Sequence, residues 1–250
     1  MNPFLVFGDS ITFGDELEDV PYEEAKNDPS NHAWPALLGA VNFAYPGLSN
    51  FGIRRLCINF STYRRPDFVI VAWSYNDRAE FLQAENITEY SPYTEDTKEY
   101  EKLFTTVGPN WSQKVKKEGK QFIDLYYKYF YSDYAGIYNT LSNIYFTQLH
   151  LESLNINYNM TFPSYKSLCV DDEYIFNLFV DKPPIDAIIG NIKQLYELID
   201  WPKFIFMQNE TSEYGGIMDL AKDLNAIAPH KHPTQECHNK YADELRRRIF

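Results

Sequence analysis

Cysteine is scarce in this chain: Cys57, Cys169 and Cys237 are the only three in 250 residues, odd in number and widely spaced. That argues against a disulfide framework and against a Cys-pair zinc ribbon, and reduced thiols are the expectation. Long apolar runs are missing too, since none approaches the ~18 residues that a membrane-spanning helix needs. The first residues carry neither a basic n-region nor a cleavage site, so the expectation is a soluble, cytoplasmic protein without a signal peptide. Basic charge is in deficit: 23 Lys and Arg against 35 Asp and Glu leave a net charge of -12 and no long basic stripe, which argues against a nucleic-acid partner. No internal repeat or low-complexity tract is present. Asn-x-Ser/Thr matches such as Asn86-Ile87-Thr88 mean little without secretory entry.

What is there suffices for a large core, with 44% hydrophobic and 17% aromatic residues. Residues 3–8 read as a strand, 33–39 as a short helix begun by Pro35 and stopped by Gly39, and 41–44 as a second strand. Residues 53–58 have apolar positions at helical spacing, and Phe68-Val69-Ile70-Val71-Ala72-Trp73 is the clearest buried parallel strand. Strand, helix, strand, helix, strand implies a parallel sheet with right-handed crossovers, in a single α/β domain spanning 1–250. The alternation breaks at an acidic, Tyr-rich stretch, read as an insertion over about 78–130 that contains helical pattern at 122–126. Helical pattern continues from 134 to 154, followed by a strand at 156–160, a second insertion at 162–186, a helix near 188–198, a fifth strand at 203–207 and a polar C-terminal helix from about Thr234.

The chemistry gathers at strand ends. Phe4-Leu5-Val6-Phe7 stops abruptly at Gly8-Asp9-Ser10, which delivers a hydroxyl to the carboxyl edge of the sheet, where open α/β folds place ligands. Gly47 lies just past strand two, Asn76-Asp77 past strand three, and His230-Lys231-His232-Pro233 past strand five. Acyl transfer needs this inventory: an oxygen nucleophile, an imidazole to take its proton, and N–H donors for the oxyanion. The bland readings are an N-cap for Ser10, a positive-φ turn for Gly47 and a loop residue for Asn76. Asp9 is expected to cap the following helix, His238 and Tyr241 to pack or cap, and Arg246-Arg247-Arg248 to complement the last helix's negative end.

Gly8-Asp9-Ser10, Gly47, Asn76-Asp77 and His232-Pro233 together resemble, in order, the four signature blocks of the SGNH hydrolase (GDSL esterase/lipase) superfamily. The resemblance implies a flavodoxin-like three-layer αβα sandwich with a five-stranded parallel sheet, and ester hydrolysis with neither metal nor cofactor. It also implies Ser10 as nucleophile, His232 as general base, and an oxyanion hole made by the Ser10 and Gly47 N–H groups with the Asn76 amide.

The sequence departs from that pattern where the family usually carries an acid two or three residues before the histidine, because His230 and Pro229 stand there. Three alternatives follow: a Ser-His dyad oriented by a backbone carbonyl or by His230, an acid from elsewhere such as Asp15, Asp77 or Asp223, or a degraded site that only binds. On the dyad reading, activity falls below about pH 6.5, the ordinary histidine range, and rises in His230→Asp. His230, His232 and His238 with Cys237 also invite a metal reading, but no second ligand cluster accompanies them. The expected substrate is a small soluble ester or O-acylated carbohydrate, with the Tyr-rich insertion as a lid or wall. A carbohydrate- or partner-binding module and an acyltransferase are the alternatives.

Overall fold

The computed structural model describes residues 4–21, 28–82, 104–109, 117–170, 173–174, 190–207 and 215–250. The apolar run Phe4–Phe7 forms β1, Val41–Asn42 forms β2 and Phe68–Ala72 forms β3. β1 lies between the other two and parallel to both, with Leu5 opposite Val41 on one side and opposite Val69 on the other. Strand Asn157–Thr161 pairs in parallel with β3, Ile70 opposite Asn159. Numbering it β6 after the antiparallel ribbon β4 (Ala79–Leu82) and β5 (Phe104–Val107), the main sheet runs β2-β1-β3-β6.

Side chains alternate across the sheet, so each strand feeds two cores. Leu5, Phe7, Val69 and Val71 join Ile53, Leu56, Phe60, Ile137, Leu141 and Ile144 on one face. Helices α3 (Asn50–Arg64) and α5 (Asp133–Ser153) supply the latter six, and α6 (Gly190–Leu198) adds Ile192 and Tyr196. Val6, Ile70 and Ala72 face Trp34 of α2 (Trp34–Leu37), Ile217 and Ala221 of α7 (Ile217–Asp223), and Tyr241 and Leu245 of α8 (Gln235–Ile249). Leu56 and Ile144 are fully buried, and truncating either to alanine is expected to cost about 2–5 kcal/mol.

Helix α3 starts where the Ser49 hydroxyl accepts the Gly52 N–H at 3.1 Å and stops at Arg65, left-handed at φ 44°, just before Pro66. The first insertion is anchored at this helix start, because Glu80 of β4 accepts hydrogen bonds from Ser49 and from Arg55. Helix α4 (Lys117–Tyr129) ties it to the loop after β3, with the Tyr127 hydroxyl donating to the Asp77 carbonyl at 2.6 Å and the Val107 carbonyl also within 3.0 Å of it. In the second insertion a 3-10 turn, Tyr165–Leu168, leads into the short antiparallel pair β7 (Cys169–Val170) and β8 (Glu173–Tyr174). Most of the Tyr-rich stretch, 83–103 and 110–116, and the later part of the second insertion, 175–186, lie outside the described residues.

The fifth strand expected at 203–207 is not formed. A 3-10 turn over Trp201–Lys203, with Pro202 inside it, delays the approach to β6, and the Asn159 side chain takes the Lys203 carbonyl at 2.9 Å in place of a ladder N–H. What is left is one bridge, Met160 to Phe204, with the Ile205 N–H on the Met160 carbonyl at 2.9 Å; Met207 then pairs with Gly215 instead. Among the described residues no helix is long and apolar enough to cross a membrane. Cys57 and Cys237 are free and buried, and burial pushes both thiols up, Cys237 to about 12.

Candidate active site

Ser10 opens a single helical turn, α1 (Ser10–Phe13), directly after β1, and is 7% exposed. Asp9 caps that turn as expected, its Oδ1 accepting the Ile11 N–H at 3.0 Å. Its Oδ2 accepts the Ser74 hydroxyl at 2.7 Å and an N–H of Arg78 at 2.8 Å. The parallel pairing beside β1 continues past β2, with the Tyr45 N–H on the Gly8 carbonyl at 3.1 Å. That brings the Pro46-Gly47 turn alongside Asp9-Ser10, and Gly47 takes a left-handed φ of 87° that a side chain would resist.

On the other flank, Asn50 pairs with the Ser74 backbone through both amide atoms, accepting its N–H at 2.7 Å and donating to its carbonyl at 3.3 Å. Asn76 follows two residues later, half-buried, its carbonyl so close to Gly136 that a Cβ there would meet it at 2.6 Å. The loops of Gly47 and Asn76 therefore flank the Asp9-Ser10 turn on its two sides.

His232 arrives from the opposite end of the chain on a tight turn. The Lys231 N–H bonds the Ala228 carbonyl at 2.9 Å and the Ala228 N–H bonds the His232 carbonyl at 2.8 Å, just before α8 begins. Its Nε2 lies 3.0 Å from Ser10 Oγ. Its Nδ1 lies 2.8 Å from Oε2 of Glu16. A carboxylate accepts only, so Nδ1 carries the proton and Nε2 presents its lone pair to the Ser10 hydroxyl. Ser10, His232 and Glu16 thus form a continuous hydrogen-bonded relay.

The carboxylate on Nδ1 is an acid from elsewhere in the chain, the second of the three alternatives, but it is Glu16 and none of Asp15, Asp77 or Asp223. It comes from the nucleophile's own loop, six positions after Ser10. Gly14, left-handed at φ 90°, stops α1 after one turn, its N–H and that of Asp15 both returning to the Ser10 carbonyl at 3.1 Å. Glu16 is itself left-handed at φ 68°, as is Lys231 at φ 75°, so both sides of the contact hold uncommon backbone. Such residues cost on the order of 1–3 kcal/mol each and persist where their surroundings over-determine them. Burial pushes the Glu16 carboxyl up, but the His230 N–H at 2.8 Å, the His232 ring and the His232 N–H at 3.1 Å outweigh it and hold the group below the usual range.

The other candidates fall elsewhere. His230 does not orient the ring: it gives Glu16 its backbone N–H from an exposed position, while Nδ1 of His232 is engaged by Glu16. Asp15 is buried, with Oδ2 3.8 Å from Nε2, which places its charge beside the wrong nitrogen for an orienting bond. Asp77 sits in the loop after β3, where burial raises its carboxyl, and Asp223 is exposed at the end of α7. The metal grouping dissolves. His238 Nδ1 accepts the Trp34 N–H at 3.1 Å and caps α2, and the Cys237 thiol donates to the Ile217 carbonyl at 3.4 Å. Among the described residues no group of three His, Cys, Asp or Glu side chains could hold a metal ion. Burial, with His232 nearby, lowers His238 to about 3, so it stays neutral; the Tyr241 hydroxyl meets Thr161 Oγ1 at 2.7 Å.

No family model matches the sequence, and no curated protein matches it. Among solved structures, the chain is similar to the psychrotrophic esterase EstA from Pseudoalteromonas sp., in a form inhibited by monoethylphosphonate. The identity is 11% over 100% of this chain and 97% of that one, with a TM-score of 0.48. It is also similar to a protein from Desulfitobacterium hafniense DCB-2 described as lipolytic and of the G-D-S-L family, at 12% identity over 99% of both chains and a TM-score of 0.44. At these identities and TM-scores the likeness assigns no activity, and the chemistry is read from Ser10, His232 and Glu16 alone.

Proposed function

We propose that this protein is a serine ester hydrolase of the SGNH type, acting through an acyl-enzyme on Ser10. The observation that carries the reading is the relay itself, Ser10 Oγ to His232 Nε2 at 3.0 Å and His232 Nδ1 to Glu16 at 2.8 Å. Ser10 Oγ attacks the ester carbonyl as His232 Nε2 takes its proton, and Glu16 stabilises the imidazolium that forms. The tetrahedral oxyanion is received by the Ser10 and Gly47 N–H groups and the Asn76 amide. Collapse expels the alcohol, which leaves with the proton from His232. Water then gives a proton to the same nitrogen as it attacks the acyl-enzyme, and the second collapse breaks the bond to Ser10 Oγ, which takes that proton back from His232 as the acid is released.

The flavodoxin-like form of the fold is part of this proposal, supported by the order β2-β1-β3-β6, helices on both faces, and Phe204-Ile205 beside β6 where a fifth strand would lie. A binding module with an impaired site is the alternative raised by the absence of an acid before His232; Glu16 supports catalysis instead. The substrate class proposed is a small soluble ester or O-acylated carbohydrate, with no cofactor or metal required.

Intact-mass analysis after exposure to a fluorophosphonate tests the reading. A single adduct is expected on the wild type and none on Ser10→Ala or His232→Ala. An adduct that persists on folded Ser10→Ala would overturn it.

A further inference from the structure

Three loops must keep register for the proposed oxyanion hole to exist, and one guanidinium touches all three. Arg78 belongs to the loop that carries Asn76. Its Nη1 donates to Asp9 Oδ2 at 2.8 Å, reaching the cap of the nucleophile turn, and to the Leu48 carbonyl at 3.0 Å, reaching the residue after Gly47. Its side chain is 11% exposed and that of Asp9 is 2% exposed, so the pair is removed from most solvent screening. The Arg78 guanidinium also lies 5.9 Å from the Tyr75 ring centroid, a cation–π contact within its own loop. The Ser74 hydroxyl reaches the same Oδ2 from just past the end of β3 at 2.7 Å.

We infer that Arg78 is a positioning residue that locks the Ser10, Gly47 and Asn76 loops into one oxyanion-binding geometry. It acts through Asp9 and the Leu48 carbonyl without touching the reacting atoms, and the purpose rests on the ester-hydrolase reading above. Each loop is held separately as well: the Asp9 cap, the Tyr45 ladder bond and the Asn50 pairing remain when Arg78 is changed. Loss of Arg78 thus frees the three loops relative to one another while the sheet stays intact. Both bonds leave one nitrogen, Nη1, at the full reach of the arginine side chain; lysine keeps the charge opposite Asp9, but its ammonium ends about 1 Å nearer the backbone and does not reach both acceptors.

Arg78→Lys, with Arg78→Gln as a second variant, tests this in two ways. In ester turnover, folded Arg78→Lys is expected to lose roughly 10- to 100-fold in kcat with KM little changed. That loss should nearly vanish when Arg78→Lys is made in an Asn76→Ala background, where the hole is already broken. A purely structural role predicts losses that multiply. Independently of turnover, hydrogen exchange is expected to rise together in the stretches 9–13, 45–50 and 74–79, with β1, β3 and α5 unchanged. Wild-type kcat in a folded Arg78→Lys variant, fully multiplicative losses, or exchange rising in only one of the three stretches would overturn the inference. An inactive, unlabelled wild type would defeat the ester-hydrolase reading alone, and the exchange pattern would still decide the clamp.

Discussion

The two halves of the relay are secured in opposite ways. The Ser10 side is redundant: parallel ladders run on both sides of β1, Asp9 takes three hydrogen bonds, and Asn50 grips the Ser74 backbone. The His232 turn is closed by its own backbone bonds, but its N–H bonds to the nucleophile loop converge on one group. A single carboxylate, Glu16, accepts the His230 N–H, the His232 N–H and the His232 ring, so it both orients the imidazole and pins the turn that carries it. Redundancy keeps the nucleophile turn itself folded after any one loss, with its register to the Gly47 and Asn76 loops left to Arg78, whereas convergence on Glu16 makes the base sensitive to one substitution and to acid.

The sharpest way to break that contrast is Glu16→Gln. The amide lacks the charge that stabilises the imidazolium, and its NH2 can face Nδ1 as a donor and so favour the wrong tautomer. A neutral amide in the acid's place lowers turnover by about 10⁴ in a well-studied triad, or roughly 5 kcal/mol of transition-state stabilisation. A loss of that order is expected in kcat for a small ester. If the folded variant keeps more than about a tenth of wild-type kcat, Glu16 is not the acid of the relay.

On the redundant side, Asn50→Ala probes stability. It removes both bonds to Ser74 and the one to Thr140 Oγ1 at 2.9 Å, leaving a buried N–H and C=O without their side-chain partners. Destabilisation of about 2–4 kcal/mol in urea unfolding is expected. Because the ladders and Arg78 still hold the strand ends, activity per folded molecule should fall far less than in Glu16→Gln. Equal losses of activity in the two variants would erase the difference between the two sides.

Acid should act first on the histidine side. His238, in α8 just beyond His232, is neutral when folded, with burial holding it near 3, and takes a proton once unfolded at its ordinary value near 6.5. The unfolded state therefore binds more protons as pH falls below about 6.5, and stability drops by roughly 1 kcal/mol per pH unit from this group. Glu16 has the opposite charge type but the same direction: held low when folded, it stabilises above its unfolded value near 4.5 and loses that contribution as pH falls through its lower folded value. Urea midpoints for the wild type and His238→Gln, taken from pH 7 to pH 4, should converge as pH falls. Parallel curves would remove His238 as a source of the acid sensitivity.

What was legible in the sequence follows the same division. Phe4–Phe7 and Phe68–Ala72 are apolar runs ended by polar residues, so the strands and the place of Ser10 at a strand end could be read directly. The tyrosines of the first insertion gave no sign that Tyr127 would tie α4 to the Asp77 carbonyl, since that bond joins residues 50 positions apart. Phe204-Ile205-Phe206-Met207 has strand composition, and only the turn at Trp201–Lys203 together with the side chain of Asn159 cuts it to one bridge. Glu16 was hidden among Asp15, Glu18 and Asp19, where nothing in composition selects one acid from its neighbours. The local signal was Gly14: a helix stopped after one turn by a left-handed glycine sends the next residues back across the nucleophile, and the backbone at 15 and 16 decides which carboxylate arrives.

The smallest expected effect is the one that reverses the sequence expectation most directly. With Nδ1 of His232 already engaged, a carboxylate at 230 has no orienting role to fill. His230 gives Glu16 its backbone N–H, which every residue but proline retains, and the residue itself is exposed. His230→Asp should therefore leave kcat/KM within about twofold of wild type at neutral pH, the range of an ordinary surface change. A large gain would mean that Glu16 does not hold Nδ1 in solution. A large loss would place the new charge close enough to Glu16 to disturb its grip on the turn. His230→Pro separates the two contributions of this residue: it removes the N–H, and should cost far more than His230→Asp if that bond helps to pin the turn.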